Sequence, residues 1–133
     1  MHLIEVRLRD VGIASEVEDG SLCAFRPVPD KPTGTTYKMS SATHVLQRGG
    51  CFRHLYCIEH HNKAGQLVKF SVSLNDENKI LLRQWHLDFS HGLHTHPVEN
   101  GVPGDTHVPY PGSVSEMATE IVNAIKSEFE DRI

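Results

Sequence analysis

From residue 52 onward the alternation of apolar and polar positions resolves into strands. LVKFSVSL (67–74) puts Val68, Phe70, Val72 and Leu74 on one side and Lys69, Ser71 and Ser73 on the other, the period of a half-buried strand. FRHLYCIEH (52–60) before it and KILLRQWHLDF (79–89) after it are rich in β-formers. The links between them, NKAG and NDEN, are turn chemistry, so the three segments predict an antiparallel meander with one packed and one open face. Upstream the pattern is weaker. HLIEVRL (2–8) aligns Ile4, Val6 and Leu8 as a candidate strand, and a short strand is expected around Leu22–Phe25. PVPDKPTGTT (27–36) reads as a loop. YKMSSATHVLQ is open between a strand and a short helix, and Gly49–Gly50 ends it.

The chain closes with a helix. Ser113 and Glu116 form a capping box just after Pro111–Gly112. Met117, Ile121, Ile125 and Phe129, joined by Val114, Val122 and Ile133, make one apolar stripe that predicts a core-packing face. The expected fold is therefore a single α+β domain over residues 1–133, an antiparallel β-meander packed by a C-terminal amphipathic helix.

Composition narrows the classes. With 38% hydrophobic and 23% charged residues the chain matches ordinary globular proteins, which excludes disorder and fibrous repeats. No run approaches the ~20 apolar residues of a membrane span, so no membrane association is expected. MHLIEVRLRD alternates and carries acids, unlike a signal or transit peptide. Cys23, Cys51 and Cys57 are an odd set without a C-x-x-C pair, which argues against a disulfide framework and for a cytoplasmic location. Charge is uneven. Residues 1–30 carry three Arg against six acids (−3), residues 31–83 eight Lys or Arg against three acids (+5), and residues 84–133 two against eight (−6). A positive middle on an acidic scaffold suits a phosphate-facing surface, as it does solvated faces that mix in three dimensions.

Chemistry concentrates in HLDFSHGLHTH (86–96) and His107, a stretch holding five of the ten histidines. Strand parity places Arg83, Trp85, Leu87 and Phe89 on one face and Gln84, His86 and Asp88 on the other, with His86 and Asp88 ~7 Å apart on the open side. His94 and His96 form an H-x-H pair whose rings point the same way on an extended segment, so one ion is reachable from both. His107, Asp88, Glu99 or Asp105 would complete a three-ligand site suited to Zn²⁺, Mn²⁺ or Fe²⁺. A solvated histidine loop needs no metal, however. The same residues also serve metal-free catalysis. An imidazole pair among His86, His91, His94 and His96 takes the 2′-hydroxyl proton of RNA and protonates the leaving 5′-oxygen. In that reading Asp88 orients His86 or His91, and Arg83 or Lys69 neutralises phosphate. His54, His60 and His61 are a weaker cluster, expected as surface or strand-end polarity. Nucleophile elbows, P-loops, paired-cysteine zinc sites and dinucleotide fingerprints are absent from the sequence.

KFSVSLNDENKILLRQWHLDFSHGLHTHP, followed by the helix from Ser113, resembles the TumE-type family of small toxin components of prokaryotic toxin–antitoxin pairs. In that family an R-(Y/W)-D-N pattern precedes a histidine cluster of the H-H-x-H sort. Arg83, Trp85, Asp88, His91, His94 and His96 are the matching positions, over about residues 68–133. The chain departs in the insertion between Trp85 and Asp88 and in lacking the Asn. The resemblance implies a cytoplasmic toxin with an antitoxin protein as partner and RNA as substrate. Two other patterns fall short. JAMM-type isopeptidases follow H-x-H with Ser and Asp where this chain has Gly104 and His107, although His107 would serve as a substitute ligand. Cupins place a Glu three or four residues after H-x-H, whereas Glu99 comes after two. The leading expectation is a histidine site at 86–107 acting on RNA or another phosphodiester. A metal-dependent hydrolase of JAMM-like or cupin-like type, a metal-binding protein and a non-enzymatic protein-binding domain are the alternatives.

Overall fold

The computed structural model describes residues 7–10, 12–22, 26–27 and 36–130. The expected strand positions Ile4 and Val6, Phe25 of the expected strand near Leu22, most of the loop at 27–36, Cys23 and Ile133 of the helix stripe lie outside them. An antiparallel sheet forms the frame. Its strands are β1 (Ala14–Leu22), β2 (Arg26–Pro27), β3 (Thr36–Arg48), β4 (Cys51–His61), β5 (Leu67–Asn75), β6 (Leu81–Asp88), β7 (Gly92–Thr95) and β10 (Val108–Pro109). Their order is β1-β3-β4-β5-β6-β7-β10, with β2 pairing on β3, and the sheet stays open. A separate two-stranded ribbon, β8 (Val98–Glu99) and β9 (Val102–Pro103), interrupts the chain between β7 and β10.

The expected meander is β4–β5–β6, and its turns are those the sequence offers. Asn62 Oδ1 accepts from the backbone N–H of Ala64 and Gln66, and Asp76 Oδ1 accepts from Asn78 and Ile80, so each turn is held by its own Asx side chain. The segment left open between strand and helix is β3, at 13 residues the longest strand. It hands over to β4 through Gly49–Gly50, both at positive φ (58° and 77°), the two-residue turn that matches strand twist. Residues 7–10 are a helical turn rather than the expected strand, and Leu8 is buried from there. The leucine still reaches the core because one helical turn can aim a single apolar residue inward as well as a strand can.

The helix is α1 (Val114–Phe129). Its capping box forms in both directions, Glu116 N to Ser113 Oγ and Ser113 N to Glu116 Oε1, each at 3.2 Å. Met117, Ile121, Val122, Ile125 and Phe129 are buried against Phe70, Val72, Leu74, Leu55, Leu46 and Trp85. Val114, expected in the stripe, is exposed because it sits at the first helical position, before the helix has reached the sheet. Two polar contacts fix the crossing. Trp85 Nε1 donates to Glu120 Oε2 at 3.0 Å, and Arg53 Nε donates to Glu128 Oε1 at 3.1 Å. Val72 pairs with both Trp85 and Cys57, so Arg53 lies four residues along β4 from the position level with Trp85, and the helix runs diagonally across the strands.

Register bears out the parity of β5 and β6, with Phe70 opposite Leu87 and Val72 opposite Trp85 on the helix side. The alternation of β5 has one fault. A bulge between His60 and His61 of β4 skips Val68, so Leu67 packs against the core in its place. Phe70→Ala is expected to lower unfolding stability by about 3–5 kcal/mol, as deletions of buried aromatics do. Phe52→Ala, on the exposed face of β4, should change it by about 0.5 kcal/mol or less. Urea denaturation of both variants checks the register; equal losses would invert the two faces of the sheet.

Candidate metal centre

The histidines gather because one turn, one short strand and one excursion return to the same place. β6 ends at Asp88, whose Oδ1 accepts from Ser90 N at 3.0 Å and His91 N at 2.6 Å and so shapes the three-residue turn. Gly92, at φ 63°, closes that turn in a conformation other residues rarely adopt. β7 then pairs back on β6 with His94 directly opposite His86. Both lie on the face away from α1, as parity requires, yet His94 is 2% exposed because its neighbours are other imidazoles and the turn itself. The excursion over β8 and β9 is closed at its neck by Gly104. Its N–H donates to the Pro97 carbonyl at 2.6 Å, and its carbonyl accepts from His96 Nδ1 at 3.0 Å. β10 then pairs on β7, Val108 opposite Thr95, which sets His107 beside the H-x-H pair.

The result is a contiguous set of five rings. His86 and His94 stack at 5.4 Å between centroids, His86 and His96 meet edge-on at 5.1 Å, and His94 and His96 do so at 5.1 Å. His107 lies 4.9 Å from His94 and 4.6 Å from His96, and His91 stacks flat on His107 at 3.8 Å. His94, His96 and His107 each offer a nitrogen within 4.8 Å of the other two. Nitrogen ligands of a tetrahedral zinc stand ~3.4 Å apart for bonds of ~2.0–2.1 Å, so closing the set takes side-chain shifts of about an ångström.

Tautomers favour that use. A carbonyl only accepts, so His94 donates Nδ1–H to Gly92 O at 2.9 Å and His96 donates Nδ1–H to Gly104 O. Each ring therefore keeps its lone pair on Nε2, the arrangement in which a main-chain carbonyl orients a metal-binding imidazole. Asp88 Oδ2 stands 3.8 Å from His94 Nε2, and Oδ1 stands 3.5 Å from His91 Nδ1. The carboxylate thus faces His91 and His94. It does not hydrogen-bond His86, whose Nε2 donates instead to Gln84 Oε1 at 3.3 Å.

Crowding sets the charge states. Burial, then repulsion from His96 and His94, lowers the His86 pKa to about 4 despite the pull of Asp88. His107 is lowered by desolvation and by His91 and the other rings. Burial works to raise Asp88, but the His91 and Ser90 backbone N–H groups and the imidazoles hold it below the usual carboxylate value. At His86 and His107 crowding thus favours the neutral imidazole, the form that ligates metal.

Every histidine named from the sequence in 86–107 is in this group, together with Asp88. Glu99 on β8 and Asp105 are exposed and outside the metal-ligating set. Lys69 sits on β5 opposite His60, away from the excursion, whereas Arg83 lines an open cleft of about 270 Å³ that also contains His96. His54, expected as surface or strand-end polarity, is instead buried within β4, where its Nδ1 donates to the Asp76 carbonyl at 3.1 Å. Gln84 and Gly104, the partners of His86 and His96, were not singled out by sequence. Both act through hydrogen bonds that depend on pairing and loop closure, and neither has a local pattern. No helix among the described residues is long and apolar enough to cross a membrane. Comparison with protein-family models, curated proteins and solved structures gives no match.

The lowered His86 pKa predicts a pH dependence of stability. The unfolded chain binds that proton near the ordinary 6.5, the folded one only near 4. The contribution is therefore complete above ~6.5 and is lost as pH falls toward 4. Asp88, lowered in the fold, adds a further loss below its ordinary value of 3.8. Urea midpoints measured without metal from pH 7 to 4 should fall, and His86→Gln should flatten that fall. An identical slope in the variant would remove His86 as its cause.

Proposed function

We propose that the chain binds a divalent transition-metal ion through His94, His96 and His107 and uses it to activate water for hydrolysis. The observation that carries this reading is the pair of Nδ1–H bonds to the Gly92 and Gly104 carbonyls, which leave two Nε2 lone pairs in a group of three neighbouring imidazoles. Three nitrogen ligands and an open position define the catalytic kind of zinc site, in which bound water ionises near pH ~7. Cys51 and Cys57 are buried with the core on the helix side and offer no thiolate to this group, so the donors are borderline-hard and suit Zn²⁺, Mn²⁺ or Fe²⁺. Asp88 fits as a fourth ligand beside His94 Nε2 or as the carboxylate that orients His91. His86 and His91 are the imidazoles left over to move protons.

RNA as the substrate, an antitoxin as partner and a cytoplasmic location are what the resemblance to TumE-type toxins adds, and they rest on the residues that carry it. In the metal-free version the same imidazoles act alone as acid and base.

Purified full-length chain incubated with zinc, manganese or ferrous iron and then desalted should retain about one ion per chain by elemental analysis, and His94→Ala with His96→Ala should retain little. Because neither substitution touches the helix-packed core, the double variant should keep its unfolding cooperativity in urea. Hydrolysis that survives chelation would shift the reading to acid–base chemistry by the histidines. Trace metal in the wild type would end the metal reading.

A further inference from the structure

Three rings of the group each have one nitrogen already engaged. In His94 and His96 it is Nδ1, bonded to the Gly92 and Gly104 carbonyls, and the lone pair stays on Nε2. In His86 it is the other nitrogen. Nε2 meets Gln84 Oε1 at 3.3 Å, and the Gln84 amide donates in turn from its own Nε2 to Ser73 Oγ at 3.4 Å. Strand geometry builds this line. Gln84 and His86 are alternate residues of β6 and share the face away from α1. Ser73 lies directly opposite Gln84 on β5, and His94 directly opposite His86 on β7. With its amide nitrogen turned to Ser73, Gln84 offers His86 a carbonyl oxygen, which accepts and cannot donate. His86 is thereby the Nε2–H tautomer with its lone pair on Nδ1, the reverse of its two neighbours. Its ring stays outside the trio of mutually close nitrogens, yet it stacks on His94 and meets His96 edge-on.

We infer that Gln84 is a positioning residue, which fixes the tautomer and ring plane of His86 so that Nδ1 is the proton acceptor for the attacking water; the inference rests on the metal reading of His94, His96 and His107. Hydrolysis requires a water proton to leave. His94 and His96 have no nitrogen left to take it, since one binds the ion and the other is held by a main-chain carbonyl. His91, the other ring outside the trio, turns Nδ1 toward Asp88 Oδ1 at 3.5 Å and lies flat on His107. His86 keeps an unengaged lone pair beside both members of the H-x-H pair. In the step, an O–H bond of water breaks, the proton bonds to His86 Nδ1, and the oxygen keeps the electron pair with which it attacks. The imidazolium so formed retains its Nε2–H bond to Gln84, and that bond strengthens as the ring becomes charged. The proton then passes to the leaving group, and the ring returns to its neutral Nε2–H form. No oxidant or reductant is required.

Heteronuclear NMR of the nitrogen-labelled, metal-free full chain at neutral pH reads each tautomer directly, with the His86 signals assigned by their loss in His86→Gln. His86 should carry its proton on Nε2, and His94 and His96 should carry theirs on Nδ1. Gln84→Met keeps the length of the side chain and removes the acceptor, so His86 should become a mixture of both tautomers. Gln84→Glu keeps an acceptor and should restore Nε2–H. On the zinc-loaded chain, Gln84→Met should lower kcat for p-nitrophenyl acetate by about tenfold or more, with KM and bound zinc as in the wild type. Gln84→Glu should recover part of that loss. A proton on His86 Nδ1 in the wild type would mean that the line runs the other way, from the Ser73 hydroxyl toward the ring, and would overturn the inference. So would a tautomer unchanged in Gln84→Met, or a kcat unchanged once the tautomers are mixed. If the wild type retains no metal, the hydrolytic reading fails separately, and the NMR still decides whether Gln84 sets the His86 tautomer.

Discussion

Trp85 fixes the arrangement on which the site depends. Its indole is fully buried beneath α1, and its N–H is taken by Glu120, so β6 cannot slip by one residue without exposing the largest side chain of the core and orphaning a hydrogen bond. Since strand neighbours point to opposite faces, burying Trp85 on the helix side forces His86 onto the other. Pairing of β7 then puts His94 across from His86. The histidine group is in this sense a consequence of the hydrophobic core, displaced through the thickness of one sheet.

The group is also self-contained. Its five imidazoles and one carboxylate come from residues 86–107, at the edge of the sheet where β7 and β10 follow β6. The strands β3 to β5 and the helix supply a rigid back wall but no ligand. The core and the imidazole group consequently draw on different side chains. Strain from crowding like charges falls on His86 and His107, while Asp88 offsets part of it by holding the turn and facing two rings at once.

What the residues disclose in advance follows from where the physics is local. β4, β5 and β6 were legible because alternation and Asx turns are written into consecutive residues, and α1 because its capping box and four-residue repeat are. β1, a polar strand reading ASEVEDGSL, carries no such signal and exists by pairing with β3. The two-residue strands β8, β9 and β10 are too short to show a period, and two of them contain proline. The bulge that exchanges Val68 for Leu67 is decided by the neighbouring strand. In the candidate site the H-x-H pair and the parity of His86 could be read directly, and His107 was a plausible third member. Its approach, however, depends on Gly104 closing a loop, and the cleft around Arg83 depends on that loop's path.

That loop separates two tasks. His94 lies on the main ladder, and His96 and His107 flank the base of the excursion, whereas the excursion itself, from Val98 to Pro103, stands outside that ladder and is joined by backbone and imidazole hydrogen bonds at Gly104. Val98, at its root, is part of the cleft wall. At its tip Gly101, at φ 78°, lies so close to Ile80 that a Cβ there would meet the isoleucine side chain at 2.9 Å, so the ribbon is fitted to the chain entering β6. The position of the imidazoles is thus set in part by residues that touch none of them: a glycine with no side chain, seated on Ile80, holds the ribbon whose base carries His96 and His107.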